Sequence, residues 1–217
     1  MLEAILFDFD GVLVESVDIK TKAFAKLFEN EGPEIVNKVV EYHLANGGVS
    51  RFKKFDYIYR ELLKKQITNV NRMELGNKFA KLVVENVLNA PWISGVQEFL
   101  ENYSEKLDLY VVSGTPDNEL KFIVEKKNVS KYFKGVFGSP ATKGDLIKDI
   151  LLTHSYKNEN VVFVGDAITD LNGALEANVS FIGKISNKET NPFSDHHVSL
   201  IRDLRELPGL LKQINIL

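Results

Sequence analysis

The segment LEAILFDFDGVL, residues 2–13, decides the fold that we predict for this chain. Its first part, Leu2–Phe9, is an apolar run that ends in polar residues, which is typical of a buried strand. Asp8 and Asp10 stand two positions apart on extended backbone, so their side chains point to the same side. Gly11 follows them and permits a sharp turn. The segment therefore predicts a strand whose carboxyl end carries two carboxylates that face one place.

Similar short apolar runs further along the chain indicate more strands. These runs are Leu107–Val112, Asn160–Val164, Val179–Ile182 and, as a fifth strand, Val136–Phe137. Helical patterns separate or follow the runs at Pro116–Lys127, Gly144–His154, Asp170–Ala177 and Leu200–Ile214. Continuous apolar strands that alternate with helices predict a doubly wound, Rossmann-like α/β fold around a parallel sheet.

The stretch between the first and second strands has a different pattern. Apolar residues recur there at helical spacing, and the strong breaks are Gly32-Pro33 and Gly47-Gly48. A long helical stretch without strand signals inside an α/β fold indicates an inserted domain. We predict a helical cap domain at residues 16–90, inserted into an α/β core formed by residues 1–15 and 91–217.

Acidic side chains also follow the NVVFV strand. Asp166 lies at its end in GDAITD, and Asp170 comes one helical turn later on the same face. Because ligands bind at the carboxyl ends of parallel strands, we expect these acids to meet Asp8 and Asp10 in one crevice. Four converging carboxylates repel one another unless a cation lies among them, and carboxylate oxygens suit a hard cation such as Mg²⁺.

Two further motifs supply groups that would bind an anion. Ser113 ends the second strand in VVSGT, where a hydroxyl and the following backbone N–H groups, of Gly114 and Thr115, precede a helix. Lys143 lies just before another helix, in SPATKGDL. A lysine that faces clustered acids neutralises them and binds phosphate as a point charge.

The motifs DFDGVL, VVSGT, Lys143 and GDAITD resemble, in order and spacing, those of the haloacid dehalogenase-like hydrolases. The position of the helical insert resembles the phosphoglycolate phosphatase-like group, and the resemblance covers essentially the whole chain. One departure is Gly144, which stands where the family often has a proline after the lysine.

The resemblance implies a mechanism of phosphate transfer. Asp8 would attack phosphorus and form an aspartyl-phosphate, while Asp10 would protonate the leaving oxygen and then activate water. Mg²⁺ would be held by the Asp8 carboxylate, the Asp10 backbone carbonyl and Asp166, and Asp170 would bind the metal directly or hold a metal-bound water. The groups expected to bind the phosphoryl oxygens and the substrate are Gly11, Ser113, Gly114, Thr115 and Lys143.

The loop NGGVSRF, residues 46–52, is the irregular part of the predicted cap. Its GVSR sequence resembles the cap loop of beta-phosphoglucomutases, in which such an arginine binds a distal phosphate. We therefore expect Arg51 to contact substrate; the alternative is a helix–helix turn with Arg51 exposed. The same likeness leaves a sugar-phosphate mutase as a rival function, although Asp170 favours a phosphatase. A non-catalytic protein that binds a phosphorylated metabolite is a third possibility.

Composition excludes several other classes. The chain has 217 residues, a net charge of −3 and no cysteine, so disulfides and thiol chemistry are excluded. No apolar run is long enough to span a membrane and no basic patch indicates nucleic acid, and we expect a cytoplasmic protein without a signal peptide. His43 is interpreted as structural or exposed, and Lys53-Lys54 as a short pair on a helical face. The expected partner is a small phosphorylated metabolite, and the oligomeric state stays open.

Overall fold

The computed structural model describes residues 1–186 and 191–213. In this part of the chain six parallel strands form one sheet in the order β3-β2-β1-β4-β5-β6. The strands are β1 (Ala4–Phe7), β2 (Asp108–Pro116), β3 (Gly135–Ser139), β4 (Val161–Gly165), β5 (Ser180–Lys184) and β6 (Ser199–Ile201). This architecture confirms the predicted doubly wound α/β fold.

Helices cover the sheet and form the insertion. Between β1 and β2 lie α1 (Val17–Leu27), α2 (Pro33–Ala45), α3 (Arg51–Tyr57), a π-helical turn (Ile58–Leu62), α4 (Asn69–Asn89) and α5 (Val96–Tyr103). The later helices are α6 (Asp117–Lys126), α7 (Lys143–His154), α8 (Ile168–Ala177) and α9 (Leu207–Gln213). Helices α1–α4 form the cap-like insertion, and no helix within the described ranges is both long and apolar enough to cross a membrane.

The C-terminal part of the chain differs from the prediction. The expected single helix over Leu200–Ile214 is wrong, because Ser199–Ile201 forms β6 and α9 begins only at Leu207; Ile214 lies outside the described residues. Strand β6 has three residues and is held by pairing with β5 at the edge of the sheet. Its existence depends on this long-range pairing, which a short apolar segment does not reveal.

The strand order creates a crevice at the end of β1. Strands β2 and β4 flank β1: the chain adds β2 and β3 on one side of β1 and then β4, β5 and β6 on the other side. The last paired residues are Phe7 of β1 with Val164 of β4 and with Val111 of β2. Residues that follow these positions therefore come together at the point where the direction of winding reverses. All four residues of β1 are buried, which holds this edge of the site rigidly.

An aromatic cluster holds the cap helices together. The rings of Phe24, Phe55 and Phe79 come from α1, α3 and α4, and the Phe24 centroid lies 4.6 Å from Phe79 and 5.9 Å from Phe55. All three side chains are almost fully buried. The cap also contacts the core, because Thr169 Oγ1 of α8 donates a hydrogen bond of 2.7 Å to the carbonyl of Gly47. The cap therefore lies over the carboxyl end of the sheet.

Candidate active site

Three carboxylates meet in the crevice between β1 and β4. Asp8, Asp166 and Asp170 each offer an oxygen within 4.8 Å of the others. Asp8 follows β1, Asp166 follows β4, and Asp170 lies in the first turn of α8. Asp170 is fully buried and Asp8 is 2% exposed. Three of the four acids that the sequence placed together do therefore lie together.

Backbone geometry sets the positions of these acids. Gly11 adopts a φ of +81°, and a Cβ atom there would lie 2.0 Å from Asp166 Oδ2, so only glycine admits this approach. Asp170 Oδ2 accepts hydrogen bonds from the backbone N–H groups of Asp166 (3.1 Å) and Ala167 (3.0 Å). The start of α8 thus holds one oxygen of Asp170 in place.

Among the described residues, Lys143 forms ion pairs with this cluster. Its Nζ donates a hydrogen bond to Asp170 Oδ1 and lies 3.2 Å from Asp8 Oδ2. Close packing of α7 against α8 brings Lys143 to the carboxylates. Two glycines permit this packing: a Cβ at Gly144 would lie 2.1 Å from Glu176 Oε2, and a Cβ at Gly173 would lie 2.9 Å from Lys143 Cβ. The departure from proline at position 144 therefore coincides with a tight helix–helix contact.

The cluster carries more negative charge than Lys143 neutralises. Burial and repulsion by Asp170 and Asp10 raise the pKa of Asp8 to about 7 against the attraction of Lys143. Burial, Asp8 and Asp170 raise the pKa of Asp166 well above its ordinary range. Burial opposes the charge of Lys143, yet Asp170 and Asp8 raise the pKa of its ammonium above the usual value. These directions indicate a place for another positive charge.

Asp8 also has an unused ligand atom. Its Oδ1 is buried and accepts no hydrogen bond from the described part of the chain. An orphaned carboxylate oxygen is costly unless an ion or a donor satisfies it. Together with the oxygens of Asp166 and Asp170, it makes an all-oxygen donor set that fits a hard divalent cation.

Asp10 lies beside the cluster and has different partners. Its carboxylate accepts hydrogen bonds from Ser16 Oγ at 2.6 Å and Thr115 Oγ1 at 3.0 Å, and from the Nζ of Lys20. Lys20 also donates to Thr115 Oγ1 at 2.8 Å. Burial acts to raise the pKa of Asp10, but Lys20 and these hydrogen bonds hold it below the ordinary value. The Asp10 side chain is thus poised as an ionised group outside the three-carboxylate cluster.

The VVSGT segment lies at the end of β2 beside the acids. The structure extends β2 to Pro116, beyond its predicted end at Val112. Ser113 is 2% exposed, and its Oγ accepts the backbone N–H of Thr115 at 3.3 Å. The cap touches this segment, since a Cβ at Gly114 would lie 2.1 Å from the carbonyl oxygen of Gly48.

A cavity of about 510 Å³ lies between the cap and the core. Its lining from the core includes Asp8, Asp10, Ser113, Gly114, Thr115 and Asp166, and its lining from the cap includes Lys20, Phe24, His43, Arg51, Lys54 and Phe79. The volume lies within the range of about 300–1,000 Å³ that is typical of small-molecule sites. The cavity therefore joins the carboxylate cluster to side chains of the cap.

Arg51 is not the exposed residue that the helix-turn alternative predicts. It is 6% exposed, and its guanidinium donates two hydrogen bonds to the carboxylate of Glu119 on α6. The guanidinium carbon also lies 4.5 Å from the centroid of the Phe79 ring. Arg51 thus joins the cap to the core, while its expected contact with substrate stays a prediction.

Sequence reasoning missed three polar side chains of the cap that line the cavity. Lys20 holds Asp10, and Lys54 Nζ lies 2.8 Å from His43 Nδ1. The sequence predicted only that Lys53-Lys54 is a short pair on a helical face; in the structure Lys53 is exposed, whereas Lys54 is 2% exposed. Helical spacing carries a signal that distinguishes them, because Lys54 lies on the same helix face as Phe55 and Ile58, whereas Lys53 does not.

Known proteins share both the sequence pattern and the fold. The 6-phosphogluconate phosphatase of Escherichia coli (strain K12) is 25% identical over 97% of this chain and 95% of its own length. The structure of beta-phosphoglucomutase from Clostridium difficile matches with a TM-score of 0.78 at 18% identity, over 99% of this chain and 96% of that chain. YfnB from Bacillus subtilis, a haloacid dehalogenase-like protein solved bound to magnesium, matches with a TM-score of 0.71 at 18% identity, over 97% and 99% of the two chains.

The family comparison covers most of the chain. The sequence model that describes the haloacid dehalogenase-like hydrolases matches residues 5–184, which include all four motifs and the helical insertion. This protein therefore belongs to the haloacid dehalogenase-like hydrolase family.

Proposed function

We propose that this protein is a Mg²⁺-dependent phosphatase that hydrolyses the phosphate monoester of a small metabolite through an aspartyl-phosphate on Asp8. The observation that carries this proposal is the buried cluster of Asp8, Asp166 and Asp170, in which Asp8 keeps one oxygen without a hydrogen bond. Lys143 lies against the same carboxylate. The E. coli relative is a phosphatase, which supports the same reaction class.

The metal site would be formed by Asp8, Asp166 and Asp170, with the backbone carbonyl of Asp10 as a further oxygen ligand. The all-oxygen donor set and the excess negative charge favour Mg²⁺, and the magnesium bound to YfnB is in keeping with this choice. When bound, the ion would neutralise charge that develops on the phosphoryl group and lower the pKa of Asp8.

Asp8 would act as the nucleophile. One carboxylate oxygen forms a bond to phosphorus while the bond from phosphorus to the substrate oxygen breaks. Lys143, the Ser113 hydroxyl and the backbone N–H groups of Gly114 and Thr115 would bind the phosphoryl oxygens. Their burial strengthens these interactions because little water screens them.

Asp10 would move the protons. It protonates the leaving oxygen in the first step and takes a proton from the attacking water in the second, which regenerates Asp8 and releases phosphate. The contacts with Ser16, Lys20 and Thr115 favour the ionised form that the second step needs. Because Lys20 belongs to the cap, a movement of the cap would change the proton affinity of Asp10 between the two steps.

The cap would select the substrate and exclude water from the aspartyl-phosphate. One candidate substrate is 6-phosphogluconate, after which the E. coli relative is named. Sugar phosphates and phosphoglycolate are further candidates, which the sequence resemblance suggests. All are small enough for a cavity of about 510 Å³.

The test is a phosphate-release screen with purified protein, Mg²⁺ and a panel that contains these metabolites and an aryl phosphate. We expect Mg²⁺-dependent release from at least one metabolite and no release in EDTA. Conversion of a sugar 1-phosphate to its 6-phosphate without free phosphate would instead indicate a mutase. Absence of any reaction across the panel would favour a non-catalytic binding protein and contradict the proposal.

A further inference from the structure

Lys54 is a buried lysine that forms no ion pair with a carboxylate of the described residues. It lies on α3, is 2% exposed and lines the cavity between cap and core. Its Nζ lies 2.8 Å from His43 Nδ1 and donates to the His43 carbonyl at 3.1 Å. Within residues 1–186 and 191–213, no carboxylate oxygen lies within 4.0 Å of this Nζ. An ammonium that is buried without a counter-ion is unfavourable and rare.

The other cations of the cavity already have partners. Lys20 is bound to Asp10, and Arg51 is bound to Glu119. Among the described residues that line the cavity, Lys54 is therefore the lysine or arginine that lacks a carboxylate. Lys54 therefore remains available to pair with an acidic group of a ligand.

The position of Lys54 suits the far end of a substrate. Asp8 lines the cavity from the core, whereas Lys54 and His43 line it from the cap. A ligand whose phosphate lies at Asp8 therefore presents its other end to the cap. Phe24 borders this region, with its ring centroid 5.5 Å from Lys54 Nζ and 4.5 Å from the His43 ring. Apolar surroundings strengthen an interaction between opposite charges.

The ionisation of the pair supports the same role. Burial and the charges of Lys54 and Lys20 lower the pKa of His43 to about 3, so its ring is neutral and its Nδ1 accepts from Lys54. Burial and the charges of Lys20 and Lys143 lower the pKa of Lys54 to about 7 against the weaker attraction of Asp10. An anion placed against Nζ would restore the ammonium, because an opposite charge favours the charged form.

We propose that Lys54, oriented by His43, binds a carboxylate at the end of the substrate opposite its phosphate. A single positive charge matches a monoanionic carboxylate better than a second phosphate. The substrate class that follows is a phosphorylated sugar acid or hydroxy acid. This inference builds on the proposed function, because it takes the phosphate end to lie at Asp8.

The experiment compares ligands that differ only at the far end. Binding is measured by calorimetry with Mg²⁺ and the Asp8→Asn protein, which does not turn over. The long pair is 6-phosphogluconate and glucitol 6-phosphate, and the short pair is 2-phosphoglycolate and 2-hydroxyethyl phosphate. In each pair a carboxylate is replaced by a hydroxymethyl group. We expect the carboxylate of at least one pair to bind about 10- to 100-fold more tightly, as for a hydrogen bond to a charged group.

Lys54→Met, added to Asp8→Asn, removes the charge and keeps the aliphatic volume. We expect the preference to fall to less than about threefold, whereas Lys53→Gln, at the exposed neighbouring position, retains it. Thermal unfolding checks that each variant keeps the fold. Lys54→Gln serves as a second neutral variant.

The inference is overturned if neither carboxylate is preferred, or if the preference survives in both neutral variants. These binding results are independent of turnover. If the protein prefers the carboxylate through Lys54 but releases no phosphate from any substrate, the carboxylate subsite is supported and the proposed phosphatase function is contradicted. If it releases phosphate but shows no Lys54-dependent preference, the phosphatase function is supported and the subsite is contradicted.

Discussion

Replacing Asp8 with asparagine should abolish turnover and stabilise the metal-free protein. The side chain is buried, and without a metal ion its pKa is raised from 3.8 to about 7. Between about pH 4 and pH 7 the folded state therefore keeps a proton on Asp8 that the unfolded state has released. Stability is thus lost as pH rises from about 4 to about 7, and above pH 7 the full cost of ionising Asp8 is present.

The size of the effect follows from the two pKa values. Their difference corresponds to about 4 kcal/mol, of which we expect about 2–4 kcal/mol to be recovered in the variant. For a chain of this length, that raises the melting temperature by about 5–15 °C. Asparagine has nearly the same shape as aspartate but does not ionise, so the gain should appear at pH 8 in EDTA and nearly vanish at pH 4.

Thermal unfolding by circular dichroism or calorimetry measures this gain at the two pH values. Mg²⁺ should stabilise the wild-type protein at pH 8 more than the variant, since the ion compensates the charge that the variant lacks. Asp149→Asn provides a matched control at an exposed position of α7 and should change neither property. A melting temperature for Asp8→Asn that equals or falls below wild type at pH 8 in EDTA would refute the reasoning.

Other variants test the cap and its contacts with the core. The Arg51–Glu119 ion pair joins the cap to the core. Arg51→Ala and Glu119→Gln should therefore each lower kcat/KM about tenfold, which corresponds to about 1.4 kcal/mol, for the metabolite and for an aryl phosphate alike. A loss in Arg51→Ala that is confined to the metabolite would instead make Arg51 a substrate contact. Lys20→Met removes a charge that lowers the pKa of Asp10, so the acidic limb of the kcat–pH profile should move to higher pH, and a limb that stays or moves lower would contradict this role. Gly114→Ala places a Cβ 2.1 Å from a carbonyl of the cap loop, so the loop must shift; kcat should fall more than tenfold, and an unchanged kcat would show that this close approach of the cap is not needed.

The carboxylate cluster could be predicted because local geometry and strand direction act together. Asp8 follows a buried strand, Asp166 follows another, and parallel strands end at the same edge of the sheet. The four-residue spacing from Asp166 to Asp170 then fixes one helical turn. These relations involve short stretches of chain and regular periods, so they are visible without coordinates.

The partners of the polar side chains on the cap side of the cavity depend on tertiary contacts. Lys20 resembles Lys22 and Lys26 of the same helix, and only the docking of α1 onto the core brings it to Asp10. Lys54 differs from Lys53 because its face of α3 is turned to the His43 carbonyl and the Phe24 ring, whereas Lys53 is exposed. The missed strand β6 has the same cause, since pairing with β5 defines it.

The most direct measurement is to stop the reaction with acid during turnover and map the phosphorylated peptide by mass spectrometry. The proposed mechanism predicts an acid-stable, alkali-labile phosphoryl group on Asp8 that forms with Mg²⁺ and is absent in EDTA and in Asp8→Asn. Turnover at a normal rate by Asp8→Asn, or phosphate attached to a different residue, would contradict it.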